Sequence, residues 1–239
     1  MRAPSAVLFD AYGTLFDVGS VEPLADMLFP GHGSRIASLW RDKQIEYSRL
    51  LTTTDEGAHY QPFSEITLAA LRYTCRQLAL RLDQVHELAL MDHYFHLDAY
   101  AEAREVLTAL HAAGVVTGIL SNGDPAMLKA AIDHAGLAPL LDHVISVDPI
   151  RKYKTHPDAY RLGVEATGLV ASDICFVSGN GWDAMAATWY GFRTLWINRR
   201  GLPFETIGPP PGRIGRDLRD VLALFPAPAG PAAVATVPA

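Results

Sequence analysis

The sequence has very little cysteine and no long apolar run. Its two cysteines, Cys75 and Cys175, lie far apart and form no Cys-x-x-Cys pair, which argues against a disulfide framework and a cysteine-based zinc site. No apolar run approaches the roughly 20 residues that cross a bilayer. The apolar start of the chain is interrupted at Asp10, too early for a signal peptide. We therefore expect a cytoplasmic protein that has no membrane partner.

Basic residues are also scarce. The 20 Lys and Arg are outnumbered by 26 Asp and Glu, which gives a formal net charge of −6. Binding of nucleic acid requires clustered Lys and Arg, so we expect no nucleic-acid partner, whereas a small anion needs only a few local cations. The hydrophobic content of 49% over 239 residues is typical of a folded chain. The length fits one large domain or one domain with an insertion.

Short apolar runs that end in polar residues recur along the chain. Such a run predicts a strand buried on both faces. Helical segments between the runs predict an α/β fold, a Rossmann-like parallel sheet flanked by helices. Ligands of such sheets bind beyond the carboxyl ends of the strands. The predicted strands are residues 6–9, 115–120, 143–147, 174–177 and 194–197, and the predicted helices are 99–113, 125–135, one opening at Pro157, and 182–190.

Residues 16–97 interrupt this alternation. Apolar residues recur at helical spacing over 36–50 and 68–82, and a third helix is expected over about 84–95, after Asp83. These segments predict a helical insertion that covers the strand ends. The predicted division is a core of residues 1–15 and 98–225, an inserted helical cap domain of residues 16–97, and a Pro/Ala-rich tail of residues 226–239.

Polar side chains follow the predicted strands. Asp10 follows the first strand, and taken alone it is equally well explained as a residue that caps the next turn. Together, two carboxylates, one lysine, hydroxyls and an amide at one edge of the sheet form a constellation that packing does not require. We therefore predict a catalytic site. The other members are Ser121, Asn122, Lys154, Ser178, Asn180 and Asp183.

Several of these residues belong to motifs that resemble the haloacid dehalogenase superfamily. The motifs are Phe-Asp-Ala-Tyr-Gly-Thr-Leu at 9–15, Leu-Ser-Asn-Gly at 120–123, Lys154, and Val-Ser-Gly-Asn-Gly-Trp-Asp at 177–183. Residues 40–47, Trp-Arg-Asp-Lys-Gln-Ile-Glu-Tyr, are similar to the cap of the L-2-haloacid dehalogenases, which the chain resembles along nearly its whole length. The resemblance implies a haloacid dehalogenase fold and a hydrolase that needs neither a metal nor another cofactor.

The resemblance also implies a role for each site residue. Asp10 would attack C2 of an L-2-haloalkanoic acid and expel halide, and water would then hydrolyse the aspartyl ester to release a D-2-hydroxy acid. Lys154 would keep Asp10 ionised, and Asp183 would assist the water. Arg41 would accept the halide, with Asn122 and Trp182 beside the leaving group. The other supporting roles fall to Thr14 (orienting Asp10), Ser178 and Asn180 (orienting the water), Tyr160 (supporting the site), and Ser121 with backbone amides near Ala11, Tyr12 and Asn122 (binding the substrate carboxylate).

Tyr12 separates this prediction from its main alternative. Phosphatases of the superfamily carry there a second aspartate that protonates the leaving alcohol, whereas a halide needs no proton. Tyr12 is also expected to form an apolar wall with its hydroxyl hydrogen-bonded. A solvated arginine is the alternative for Arg41, and a plain core tyrosine for Tyr160. A Mg²⁺-dependent phosphatase, a non-catalytic binding protein, and a hydrolase of another 2-substituted or strained-ring acid stay open as alternatives.

The sequence departs from the family pattern at three places. Thr155 stands where the family commonly has proline, Asp42 stands where relatives usually carry glutamine, and the polar segment 52–57 is longer than is typical. These departures bear on substrate size, chirality and rate more than on reaction class. The expected partners are a small 2-haloacid, water, the halide product and, because the family is often dimeric, a second copy of the chain.

Overall fold

A computed structural model describes residues 2–225. These residues form a six-stranded sheet in the order β3-β2-β1-β4-β5-β6, and every neighbouring pair is parallel. The predicted parallel α/β fold is thus confirmed. Because β1 is central, the residue that follows it lies in the middle of the ligand-binding edge. The strands are β1 (Ala6–Phe9), β2 (Val116–Ser121), β3 (His143–Ser146), β4 (Ile174–Ser178), β5 (Arg193–Ile197) and β6 (Arg213–Gly215).

Eight α-helices accompany this sheet within residues 2–225. Four of them lie between β1 and the fifth helix, and the others alternate with the strands. Local signals explain several ends: the Asp83 side chain accepts the His86 amide where α4 begins, and Gly136 adopts a left-handed conformation after α6. The helices are α1 (Glu22–Leu28), α2 (Gly33–Thr53), α3 (Phe63–Gln77), α4 (Gln84–Phe95), α5 (Ala103–Ala112), α6 (Pro125–Ala135), α7 (Pro157–Thr167) and α8 (Gly181–Tyr190).

The expectation of strands buried on both faces is correct at the centre of the sheet and wrong at its edge. All four residues of β1 are fully buried. β3 is an edge strand, and Val144 is half exposed. β6 and α1 are not predicted from the sequence, since three residues that include one arginine form no apolar run and seven residues are too short for a helical period. β6 is short and lies at the edge of the sheet, and α1 is short, so neither has a recognisable sequence pattern.

Some predicted helix bounds are also wrong. α3 ends at Gln77, yet the apolar spacing continues because Leu78, Leu80 and Leu82 of the following turn pack against the same core. α5 begins at Ala103 rather than at residue 99. α2 extends to Thr53, so the first part of the predicted polar loop is helical. Packing of irregular backbone against a core produces the same apolar spacing as a helix.

We call residues 16–97 the cap segment. Its helices share one continuous apolar cluster with the sheet, in which Trp40 of α2 and Phe63 of α3 join Phe9 of β1. The cap segment is therefore held over the carboxyl end of β1 by apolar packing. Its division from the core as a separate domain stays a prediction, and the predicted tail, 226–239, lies outside the described residues. Within residues 2–225, no helix combines the length and apolar character of a membrane span.

Candidate active site

Asp10 is held at the carboxyl end of β1 by three side-chain donors. Its Oδ1 accepts a hydrogen bond from Lys154 Nζ at 3.0 Å, and its Oδ2 accepts from Thr14 Oγ1 and Asn180 Nδ2, each at 2.8 Å. The Thr14 hydroxyl also accepts the Gly179 amide at 2.8 Å, which ties the loop after β1 to the loop after β4. Asp10 is only 6% exposed. The result is a carboxylate of fixed orientation in a nearly dry site.

Lys154 lies between two buried carboxylates. Its Nζ is 3.0 Å from Asp10 Oδ1 and 3.0 Å from Asp183 Oδ2, and all three side chains are almost inaccessible to solvent. Its backbone amide is fixed by Asn122 Oδ1 at 2.8 Å. An ammonium group this close offsets the cost of burying two carboxylates side by side. The positive charge of the lysine therefore reduces the repulsion between two neighbouring carboxylates, so that both can be buried in one site.

Asp183 is surrounded by donors. Its Oδ1 accepts from the Tyr160 hydroxyl at 2.7 Å, and its Oδ2 accepts from Ser178 Oγ at 3.0 Å in addition to Lys154. Burial raises the pKa of Asp183 above its ordinary value, and although Lys154 lowers this pKa and Asp10 raises it, the net direction is upward. A carboxylate with a raised pKa is a stronger base, as general-base chemistry near neutral pH requires.

Tyr160 belongs both to the site and to the core. Burial raises the pKa of its hydroxyl well above the usual range, and the neighbouring Asp183 charge adds to this effect, so the hydroxyl stays protonated and donates. Its ring packs against Phe176, Tyr190 and Phe192. The two alternatives for this residue are therefore compatible.

A narrow cavity opens above Asp10, between the strand ends and the cap segment. Five of the residues predicted for the site contribute to its wall with Asp10, and three residues that the sequence analysis did not single out complete it. Ala11 does not line the cavity; its carbonyl accepts the amides of Thr14, Leu15 and Phe16 and so forms the turn after Asp10. The lining residues are Asp10, Tyr12, Arg41, Ile45, Ser48, Phe63, Ser121, Asn122 and Trp182.

Of the three missed residues, Ile45 and Ser48 had a usable signal. They follow Arg41 on α2 by four and seven positions, which places them on the same helix face. Phe63 is the first residue of α3 and comes from a separate element. No spacing in the sequence relates it to Arg41, so only the folded structure brings it to the cavity.

Tyr12 forms an apolar wall of the cavity but lacks the expected hydrogen bond. Its ring lies 5.3 Å from Phe63 and 5.9 Å from Tyr94 between ring centroids. The buried hydroxyl has no hydrogen-bond partner among the described residues, so that part of the prediction is wrong. Burial raises the pKa of Tyr12 well above its usual value, and the side chain stays neutral.

Arg41 reaches from α2 to the loop after β1. Its Nη2 donates to the Tyr12 carbonyl at 3.0 Å, and its Nη1 donates to Gln44 Oε1 at 2.6 Å. The side chain is partly buried and lines the cavity, so it is not a freely solvated arginine. A cation in the wall of the cavity that also contains Asp10 can stabilise negative charge that develops there.

The three departures from the family pattern occupy different places. The peptide bond between Lys154 and Thr155 is cis. Asp42 is exposed and lines an open groove beside the cavity rather than the cavity itself. Thr52 accepts the Tyr153 amide through its hydroxyl at 2.9 Å, which connects the end of α2 to the residue before Lys154. The segment 52–57 therefore links the cap segment to the backbone next to Lys154.

The chain belongs to the haloacid dehalogenase-like hydrolases, whose family model matches residues 4–191. A similar protein is an (S)-2-haloacid dehalogenase from Pseudomonas sp. strain YL, 44% identical over 95% of this chain and 96% of its own length. Another is haloacetate dehalogenase H-2 from Moraxella sp. strain B, 40% identical over 88% of this chain and 93% of its own. The resemblance found in the motifs is confirmed.

Solved structures agree with these sequence relatives. The crystal structure of the L-2-haloacid dehalogenase RSc1362 superposes with a TM-score of 0.91 at 50% identity, covering 93% of this chain and 98% of that one. The L-2-haloacid dehalogenase from Xanthobacter autotrophicus with chloropropionic acid covalently bound superposes with a TM-score of 0.85 at 35% identity, covering 94% and 98%. The predicted haloacid dehalogenase fold is confirmed over nearly the whole chain.

Proposed function

We propose that this protein is a hydrolase that converts short L-2-haloalkanoic acids to D-2-hydroxyalkanoic acids through an ester on Asp10. The observation that carries the proposal is the Asp10 carboxylate, held by Lys154, Thr14 and Asn180 at the base of a narrow cavity whose wall includes Arg41. The (S)-2-haloacid dehalogenases among its relatives, and the covalent chloropropionic acid in the Xanthobacter structure, support this chemistry.

The first step is a displacement at carbon. One Asp10 carboxylate oxygen attacks C2 of the substrate from the side opposite the halogen, so the C–O bond forms as the C–halogen bond breaks and C2 is inverted. The halide leaves with the bonding electrons beside the Arg41 guanidinium, which stabilises the developing charge. Covalent catalysis divides one difficult substitution into two easier steps.

The second step regenerates the carboxylate. Water attacks the carbonyl carbon of the ester and passes a proton to Asp183, so its oxygen enters the Asp10 carboxyl group. The bond from that carbon to the oxygen that Asp10 gave to C2 then breaks, the leaving alkoxide takes the proton from Asp183, and the remaining carboxyl proton of Asp10 goes to solvent. Because C2 is not touched again, the product keeps the inverted configuration. The raised pKa of Asp183 suits it to accept the proton, and Ser178 and Tyr160 hold the side chain in place.

The substrate carboxylate needs its own donors. Ser121 Oγ accepts the Gly123 amide at 3.0 Å, which leaves the hydroxyl hydrogen to donate to a substrate oxygen. Asn122 uses its Oδ1 to accept the Lys154 amide, so its NH₂ end is the part that can donate to the leaving halide beside Arg41. Backbone amides near Ala11, Tyr12 and Asn122 would complete the set, and Trp182 would contact the halogen. These roles place carboxylate and halogen on different parts of the wall.

A Mg²⁺-dependent phosphatase is the main competing function. Tyr12 occupies the position of the phosphatase general acid, and the Lys154 ammonium lies between the two carboxylates, where it supplies positive charge without a metal. Within residues 2–225, no three His, Cys, Asp or Glu side chains group as metal ligands would. We therefore propose a reaction that needs no metal or other cofactor.

Halide release from the two enantiomers of 2-chloropropionate tests this function. We expect release from the L form at a rate that EDTA does not change, inverted product, and no Mg²⁺-stimulated hydrolysis of p-nitrophenyl phosphate. The measurement is ion chromatography of chloride with chiral analysis of lactate. Phosphatase activity abolished by EDTA, without halide release, would establish the competing function instead.

Substitution of Arg41 by alanine is expected to slow ester formation by about 10²- to 10³-fold, since it removes a preorganised charge from the developing halide. Ester hydrolysis should be affected much less, because no halide forms in that step. Rapid chemical quench measures both rates. Lys43→Ala is the matched control, since Lys43 is on the same helix and pairs with Glu46. Equal slowing of both steps would contradict the role of Arg41.

Three further expectations stay predictions: a cytoplasmic location, the separation of cap and core into domains, and a homodimer. The exposed Leu50 of α2 and Tyr73 of α3 provide apolar area on the outer side of the cap segment for such a dimer. Sedimentation velocity at several protein concentrations measures the oligomeric state directly.

A further inference from the structure

Gln44 is a fully buried polar residue directly behind Arg41. Its Oε1 accepts from Arg41 Nη1 at 2.6 Å and from the Tyr94 hydroxyl at 3.0 Å, and its Nε2 donates to Thr67 Oγ1 at 2.5 Å. The side chain is 0% exposed. An apolar residue of similar length would fill the same volume without needing partners, so packing alone does not account for a glutamine here.

The neighbouring hydrogen bonds fix the orientation of the Gln44 amide. Thr67 Oγ1 donates its single hydrogen to the Phe63 carbonyl at 2.6 Å, so towards Gln44 it can only accept. This requires Nε2 of Gln44 to face Thr67 and Oε1 to face Arg41. The orientation follows from the donors and acceptors themselves rather than from the similar shapes of the amide nitrogen and oxygen.

We propose that Gln44 is a positioning residue for halide displacement, which rests on the function proposed above. A guanidinium has five N–H donors in a fixed plane. Gln44 holds one at Nη1 and the Tyr12 carbonyl holds one at Nη2. Two anchors fix the plane, and the remaining N–H groups are left for the halide.

The second anchor relates Arg41 to the nucleophile. The Tyr12 carbonyl also accepts from Asn180 Nδ2 at 3.0 Å, and the same Nδ2 donates to Asp10 Oδ2 at 2.8 Å. A short series of hydrogen bonds thus runs from Gln44 through Arg41 and Asn180 to Asp10. Gln44 sets the distance between the halide acceptor and the attacking carboxylate from the cap side.

The neutrality of Gln44 is part of its role. A glutamate would also accept from Arg41, but its negative charge would neutralise the guanidinium and weaken its attraction for halide. The amide positions the cation without reducing its charge. The two properties can be separated by two substitutions, Gln44→Met, which removes the acceptor, and Gln44→Glu, which keeps the acceptor and adds a charge.

The test uses rapid quench of single turnovers with L-2-bromopropionate and L-2-chloropropionate. Gln44→Met is expected to slow ester formation by about 10- to 100-fold, which is the cost of a catalytic group displaced by about 1 Å. Because chloride is the poorer leaving group, the rate of ester formation should fall more for the chloro substrate than for the bromo substrate. The ratio of the bromo rate to the chloro rate should therefore rise. Ester hydrolysis should change by less than about twofold, since Arg41 acts in the other step.

Gln44→Glu should raise the same rate ratio, and it carries the test if the methionine variant does not fold. Lys43→Met is the control, since it introduces the same residue on the same helix at a lysine that pairs with Glu46; its rate ratio should stay that of the wild type. An unchanged ratio in folded Gln44 variants, or equal slowing of both steps, overturns the proposal. Absence of halide release from the wild-type protein would instead refute the proposed function.

Discussion

Substitution of Asp10 by asparagine is expected to lower halide release from L-2-chloropropionate by about 10⁴-fold or more, the scale seen when a covalent nucleophile is removed. An amide is a far poorer nucleophile than a carboxylate. Asparagine has nearly the same volume as aspartate, and its amide oxygen can accept from Thr14 and Asn180, whereas its NH₂ group faces Lys154 and gives up that ion pair. Initial chloride release, followed by ion chromatography, measures the effect.

Asp42→Asn is the matched control for this prediction, because it makes the same chemical change at an exposed carboxylate outside the cavity. It should keep activity within about threefold of the wild type, as most exposed substitutions are nearly neutral. Peptide mass spectrometry must show that the asparagine at position 10 has not deamidated to aspartate. Substantial activity in a preparation free of deamidation would mean that Asp10 is not the nucleophile.

Substitution of Asp183 by asparagine is expected to separate the two steps. Loss of a general base costs about 10²- to 10⁴-fold, and this loss should fall on ester hydrolysis. The variant should release halide in a burst of up to one equivalent per site and then stall with the ester on Asp10. Chloride quantification and mass spectrometry of the Asp10 peptide give the two readouts. A variant that stalls without any adduct would contradict this role of Asp183.

The same assignment predicts the sign of the pH dependence. Below the raised pKa of Asp183 the carboxyl group is protonated and cannot take a proton from water, so ester hydrolysis in the wild type should slow as the pH falls through that pKa. Asp183→Asn has no such group and should lack this acidic limb. Single-turnover rates of ester hydrolysis over a pH series measure this fall in rate at low pH. If the same fall persists in Asp183→Asn, it belongs to another titrating group.

Much of the site was predictable because residues that follow neighbouring parallel strands lie close together at one edge of the sheet. Asp10 follows β1 and Asp183 lies five residues beyond the end of β4, and parallel strands that pair directly must bring their carboxyl ends together. Lys154 lies eight residues beyond the end of β3; the strand ends placed it at the same edge of the sheet, and the family resemblance gave its role. The bounds of α4 followed from Asp83, a local capping signal.

The parts that could not be predicted depend on contacts between distant elements. Gln44 follows Arg41 by three positions on one helix, but its partners on α3 and α4 belong to other elements, and no spacing in the sequence relates them to it. The Tyr12 hydroxyl has no hydrogen-bond partner among the described residues, and its ring packs against Phe63 and Tyr94, which come from two other elements. Sequence patterns show periodicity and local signals, whereas the hydrogen-bond partners of a buried side chain are set by tertiary packing.

Transfer of solvent oxygen tests the covalent pathway most directly. A single turnover of L-2-chloropropionate in ¹⁸O-labelled water, with enzyme in excess, is followed by mass spectrometry of the Asp10 peptide and of the released lactate. Attack of water on the ester carbonyl predicts ¹⁸O in the Asp10 carboxylate and an unlabelled hydroxyl group in the product. Label in the lactate hydroxyl, with none in the protein, would show direct attack of water on C2 and contradict the account.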